Sequence, residues 1–198
     1  MKKLDLSINP VHISNDFDRI ADELMNKWIL KVNNSRYRIT EIEFYLKSSF
    51  HNDSYTHGHE IQKTSGQWYF HGSGIDITFG SEEYFGGILI RGIYNLDKKK
   101  YINGPLKTVT ELFESFDSIF LKNFEFGLIP DQENKIKIED FLKAPRVGLK
   151  PERDAEYFNK FYRYLVMPQY EHKDKTQIYN ALIEQGYSPE RANIIWKQ

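Results

Sequence analysis

The chain has 198 residues, of which 40% are hydrophobic, 28% charged and 15% aromatic, the balance of a soluble globular protein with room for one substantial core. A formal net charge of −1 leaves no whole-protein basic field, so contact with nucleic acid would need a local patch. Without cysteine there is no disulfide or thiolate chemistry, which fits a cytoplasmic protein; no apolar run approaches the roughly 20 residues that cross a bilayer, and the N-terminus lacks the apolar stretch of a signal peptide.

The first periodic stretch, "NDFDRIADELMNKWIL", places Phe17, Ile20, Ala21, Leu24, Met25, Trp28 and Ile29 on one helical face, with Ser14, Asn15 or Asp16 as N-cap. A "VNNSR" turn follows, then a strand, "RITEIEFYL", that carries two acids. "GQWYFHGSGIDITFG" and "GGILIRGIYNL" are strand-like and broken by glycine, which predicts hairpins or bulges. "GPLKTVTELFESFDSIF" returns to helical spacing through Leu106, Val109, Leu112, Phe113 and Phe116, with Pro105 suited to a helix start. "NFEFGLI", "KIKIEDFL", "PRVGLK" and "EYFNKFYRYLV" read as short strands or turns. Beyond Pro168 two short helices joined at Gly186 are expected, the second opening at Ser188-Pro189. The organisation is therefore a main domain over 1–168 and a helical tail over 169–198.

Strict alternation divides the acidic strand into two faces, Arg38, Thr40, Ile42, Phe44 and Leu46 against Tyr37, Ile39, Glu41, Glu43 and Tyr45. One reading is a solvated edge. The other is a carboxylate beside an aromatic wall, tuned by desolvation and fixed neighbours to act as a general base. For Glu41 a structural salt bridge or solvent is the default. His51, Asp53, His57 and His59 are residue types that bind metals, but they lie in a segment rich in Asn, Ser, Thr and Gly, where such spacing is common. His71, inside the apolar "QWYFHG", reads as a satisfied core histidine. Asp76, inside "GIDITFG", needs a partner or a cavity, because a buried unpaired carboxylate is costly. No nucleophile-elbow, Walker, zincin or dinucleotide-binding motif is present.

"EIEFYL", "GQWYFH", "ILIRGI", "GPLK", "PRVGLK" and "FYRYLV" occur in an order and at intervals that resemble the alkyladenine (3-methyladenine, or methylpurine) DNA glycosylase family, over roughly residues 36–166. The resemblance implies an α+β fold like the formyltransferase C-terminal domain: a curved, mostly antiparallel sheet surrounded by helices. It implies hydrolysis of the N-glycosidic bond of alkylated or deaminated purines in double-stranded DNA, without metal or organic cofactor. Glu43 would activate water, Arg91 would hold the backbone or that water, and Tyr45 and His71 would flank an extruded base, with His57 and Asp76 in the same pocket. Lys107, Arg146 and Lys150 would be candidate phosphate contacts. The chain departs from the pattern in three ways. Ser54 stands where the family has a pocket histidine, small residues in "HGSGID" replace the side chain that wedges the duplex, and the pocket asparagine has no counterpart. The alternatives are a diverged relative that binds or hydrolyses a nucleoside-like small ligand, and a metal-binding or interaction module built on the histidine-rich loop.

Overall fold

In the computed structural model, which describes residues 3–116, 118–120 and 123–195, helix α1 (Ile13–Asn26) comes first and buries Phe17, Ile20, Ala21, Leu24 and Met25. It starts earlier than expected, with His12 as a cap residue that makes no side-chain cap bond. Asp16 instead sits in the first turn and accepts a 2.7 Å bond from Asn9 N–H, a favourable place for a negative charge. The helix also ends sooner. Trp28 and Ile29 belong to strand β1 (Trp28–Val32), because this segment gains a ladder on both sides, from β2 (Ser35–Lys47) and from Phe126–Pro130. The turn between β1 and β2 uses Asn33 at φ 48°, a left-handed conformation that Asn tolerates.

The remaining strands are β3 (Trp68–His71), β4 (Gly74–Thr78), β5 (Phe85–Asn95), β6 (Lys100–Asn103), β7 (Phe126–Pro130), β8 (Leu142–Ala144) and β9 (Arg163–Leu165). Among the described residues all pair antiparallel in a nine-stranded sheet whose main path runs β3-β4-β5-β2-β1-β7. The long strands β2 and β5 form its spine, and each changes outer neighbour along its length. β1 pairs with the start of β2 and β9 with its middle; β4 and β6 divide β5 in the same way. The sheet curls until its two ends meet, Trp68 of β3 packing on Phe126 of β7 with ring centroids 4.7 Å apart. α1 fills the concave side, with Phe17 stacked on Phe44 at 4.1 Å. The expected α+β class, with a curved antiparallel sheet and surrounding helices, is the observed one.

Strict alternation along β2 does not hold. The β2–β5 register shifts between Ile39 and Glu41 and again between Glu41 and Ile42. A bulge that adds a residue reverses the side-chain phase. Tyr37 and Ile39 therefore share the hydrophobic core with Ile42, Phe44 and Leu46, while Glu41, Glu43 and Tyr45 point the other way. Gly92 sits opposite the bulge, where a Cβ would lie 3.0 Å from Thr40 Oγ1 and 3.2 Å from Glu41 Cβ.

Helix α2 (Pro105–Glu114) begins at Pro105 as the sequence suggests, after Gly104 at φ 107°. Its buried face is Thr108, Glu111 and Leu112; Leu106 and Phe113 are 57% and 47% exposed, so the apolar stripe read from the sequence is only partly the packed one. Asp117, in that same stretch, lies outside the described residues. A single turn, α3 (Ala155–Phe158), precedes β9. The tail forms α4 (Lys175–Glu184) and α5 (Pro189–Ile195) on either side of Gly186 at φ 88°, as expected; residues 196–198 are not described. Ile178, Ala181, Leu182 and Ala192 pack against Leu142, Ala144 and Leu165, a second small core that fastens the tail to the β8–β9 edge. Among the described residues no helix is long and apolar enough to cross a membrane.

Candidate functional site

Below the bulge, β2, β5, β4 and β3 direct their non-core side chains to one side. There Tyr45, His57, His71, Asp76, Arg91 and Arg153 line a cleft of about 240 Å³, with Pro105 of α2 and Val147–Leu149 on its rim. Five of the predicted site residues thus share one cleft. Glu43 lies beneath it, its side chain fully buried beside Arg91. The Glu43 carboxylate accepts a 2.8 Å bond from Tyr45 Oη–H at Oε2 and a 2.7 Å bond from Val147 N–H at Oε1, while Arg91 Nε lies 3.4 Å from Oε1. Burial and the adjacent Glu43 charge push the Tyr45 phenol well above its ordinary value, so it stays protonated and donating.

Arg91 is shared. Its Nε donates at 3.0 Å to Glu41 Oε1, the same oxygen that receives Arg163 Nε at 2.9 Å. The second oxygen of Glu41 meets His172 Nδ1 at 2.9 Å. Burial alone would raise the Glu41 carboxyl, but the His172 hydrogen bond and the Arg163, His172 and Arg91 charges outweigh it and hold the group down to about 2. The same balance acts on Arg91: burial opposes its charge, and Glu43 and Glu41 more than restore it. The expected salt bridge at Glu41 is therefore a four-residue buried network.

On the opposite wall His71 Nε2 lies 2.9 Å from Asp76 Oδ1, and His71 Nδ1 accepts from Ser73 N–H at 3.2 Å. That backbone donor fixes the tautomer with the proton on Nε2, aimed at the carboxylate. Asp76 thus has the partner its burial requires. Behind it Gly87 leaves room: a Cβ there would come within 2.6 Å of Asp76 Oδ2. His57 stands edge-on to His71, ring centroids 4.6 Å apart, and burial and the His71 neighbour lower its pKa.

Arg146 is not a phosphate contact. Its side chain is fully buried, with Nη1 and Nη2 bonded to Asp53 at 2.6 and 3.2 Å and Nη1 also to Phe44 O at 3.0 Å, because a buried charge needs a counter-charge and acceptors. Its guanidinium lies 4.6 Å from the Tyr45 ring centroid and within 5.5 Å of those of Tyr55 and Tyr162, backing the cleft from inside. Lys107 and Lys150 are exposed, Lys150 next to the Leu149 rim. The histidine-rich loop does not gather into a metal site. His51 turns inward to Leu46 O and Tyr162 Oη, both at 2.9 Å, Asp53 pairs with Arg146, and His59 stacks on Tyr69. Among the described residues no three His, Asp or Glu side chains are placed to hold an ion.

No protein-family model matches the chain. It is 30% identical to the uncharacterized protein L759 of Acanthamoeba polyphaga mimivirus, across 82% of this chain and 91% of the viral protein. The chain belongs to the family of that viral protein. The chemistry is read from the cleft itself.

Several residues in the cleft and in the network behind it carry little signal in the sequence. Tyr55 and Arg153 stand in stretches without a motif, and only the fold turns them to the cleft. Arg163 stood inside the quoted "FYRYLV", where an arginine between aromatic strand residues is itself a sign of a buried partner. His172, 131 positions from Glu41 in sequence, had no local signal.

Proposed function

We propose that the cleft is the active site of a hydrolase that cleaves the N-glycosidic bond of alkylated or deaminated purines in DNA. One observation carries the reading: Tyr45, His71 and Arg91, drawn from three strands, line one cleft, and Glu43 lies beneath it on the same side of the sheet, 3.4 Å from Arg91. A base that leaves the duplex loses stacking worth a few kcal/mol, and the Tyr45 and His71 rings offer faces that offset it. The Asp76–His71 pair and His57 supply polar groups for the edge of the base.

In the reaction, water attacks the sugar C1′ as the bond to the purine nitrogen breaks; the bonding pair leaves with the base and the water proton passes to Glu43. A carboxylate oxygen has two acceptor positions, so Oε2, which receives Tyr45, keeps a second one for water. Arg91 stays charged beside Glu43 and fixes where its negative charge sits. Arg153 in the lining, Lys150 beside the Leu149 rim and Lys107 exposed on α2 are the cations suited to phosphate.

A second reading, hydrolysis or binding of a free nucleoside-like ligand, is favoured by the Gly72–Ser73 turn, whose small side chains have nothing to insert into a duplex. The deciding experiment measures base release from duplexes containing 3-methyladenine, 7-methylguanine or hypoxanthine, and from the matching free nucleosides, with wild type and Glu43→Gln. Release from duplex that is lost in Glu43→Gln supports the first reading. Release from nucleosides alone replaces it with the second, and release unaffected by Glu43→Gln removes Glu43 as the base.

A further inference from the structure

Glu41 and Glu43 occupy one face of β2; Glu43 is bonded to two residues of the cleft lining, Tyr45 and Val147, whereas Glu41 reaches the lining through Arg91. Both Glu41 oxygens are engaged from inside the fold: Oε1 by Arg91 and Arg163, Oε2 by His172. Arg91 belongs to the cleft; the other two come from β9 and from the segment that leads into the tail helices. His172 has a fully buried side chain, with Nδ1 2.9 Å from Glu41 Oε2, Nε2 3.1 Å from Met167 O, and Tyr101 Oη 3.1 Å from Nδ1. The backbone around it is tied down as well. Arg163 Nη2 donates to Lys173 O at 2.8 Å and Asn103 Nδ2 to Glu171 O at 2.7 Å. Met167, whose carbonyl receives His172, is held at φ 58°, a conformation that a non-glycine residue keeps only when its surroundings enforce it.

Arg91 Nε stands between two carboxylates, 3.0 Å from Glu41 Oε1 and 3.4 Å from Glu43 Oε1. The position of Glu41 therefore sets how far Arg91 leans toward the reacting acid. We propose that His172 is a positioning residue of the cleft: it fixes Glu41, Glu41 fixes Arg91, and Arg91 fixes the Glu43 carboxylate, so that the C-terminal segment completes the site. The functional half of this inference rests on the reading of Glu43 and Arg91 as the reacting centre; the geometric half does not. Without the imidazole, Glu41 Oε2 loses its donor in a place no water-facing surface reaches, and a buried unpaired acceptor is costly. The carboxylate then turns toward Arg91 and Arg163 for compensation and draws Arg91 off Glu43.

The test uses the full chain labelled with ¹⁵N and follows the Arg91 Nε–H resonance, assigned by its loss in Arg91→Lys. His172→Ala should displace that resonance, and His172→Gln, whose amide can still donate to Glu41, should return it toward the wild-type position. Release of 3-methyladenine from duplex should fall on the order of tenfold to a hundredfold in kcat in His172→Ala, with KM little changed and partial recovery in His172→Gln. A folded His172→Ala chain with Arg91 at its wild-type position overturns the proposal. Should that variant fail to give a dispersed spectrum, Tyr101→Phe, which removes only the oxygen beside the imidazole, takes its place: a displaced Arg91 resonance supports the relay and an unmoved one refutes it. Wild-type protein that releases no base defeats the glycosylase reading, while the resonance still decides the positioning role.

Discussion

Phe44 and Glu43 are neighbours in one strand, both wholly buried, and they are buried for opposite reasons. Phe44 faces the concave side, stacked on Phe17 at 4.1 Å with Phe79 and Tyr164 against its edges. Glu43 faces the cleft, where Tyr45, Val147 N–H and Arg91 surround its oxygens and Glu41, Arg163 and His172 continue the network. Dispersion and water exclusion hold the first side and charge compensation the second. The apolar side should therefore tolerate the loss of a single methyl group, and the polar side should not tolerate a change of charge.

The largest effects lie on both sides of that comparison. Phe44→Ala should cost about 3–5 kcal/mol in urea unfolding, and Ile42→Val on the same face only about 0.5–1.5 kcal/mol. Glu41→Ala should also cost about 3–5 kcal/mol, because two buried guanidinium groups lose their shared counter-charge. The sharper trial is Glu41→Gln, which keeps shape and removes charge. If it proves as mild as Ile42→Val, compensation of charge is not what holds this side.

How far the sequence could be read follows the same division. The helices at Phe17–Met25, at Pro105 and around Gly186, and the paired antiparallel strands, follow from hydrophobic period and from Gly and Pro, which act locally. The acids of β2 are legible as an anomaly in an otherwise mostly apolar strand. The bulge at Thr40–Glu41 was not legible, because register depends on which strands pair. Trp28 and Ile29 fit a helix by spacing and were taken into β1 by partners on both sides. Arg146 looked like a surface cation because nothing local announces that Asp53 and three tyrosine rings enclose it.

Next in size is the response to acid. Glu41 is held down to about 2, below its ordinary 4.5, so the unfolded chain binds a proton that the folded chain refuses. Its contribution to stability is therefore complete above pH 4.5 and is lost as pH falls toward 2, by about 3 kcal/mol in all. The difference in unfolding free energy between wild type and Glu41→Gln, followed from pH 6 to pH 2, should shrink over that window. A constant difference would mean that Glu41 is not ionised in the fold as its neighbours require.

The smallest effects on stability should come from the cations that face solvent, and they separate two kinds of positive charge. Arg146→Ala would leave the Asp53 carboxylate buried and unpaired and should cost about 3–5 kcal/mol, with Tyr45 losing the guanidinium behind its ring. Lys107 and Lys150 are exposed, so replacing either by Ala should change unfolding free energy by no more than about 0.5 kcal/mol. If either lysine touches phosphate, its loss lowers duplex affinity evenly across sequences and reduces the slope of log K against log salt by about 1. An unchanged slope in both variants would move the duplex away from this rim, and with it the case for DNA over a free nucleoside as the occupant of the cleft.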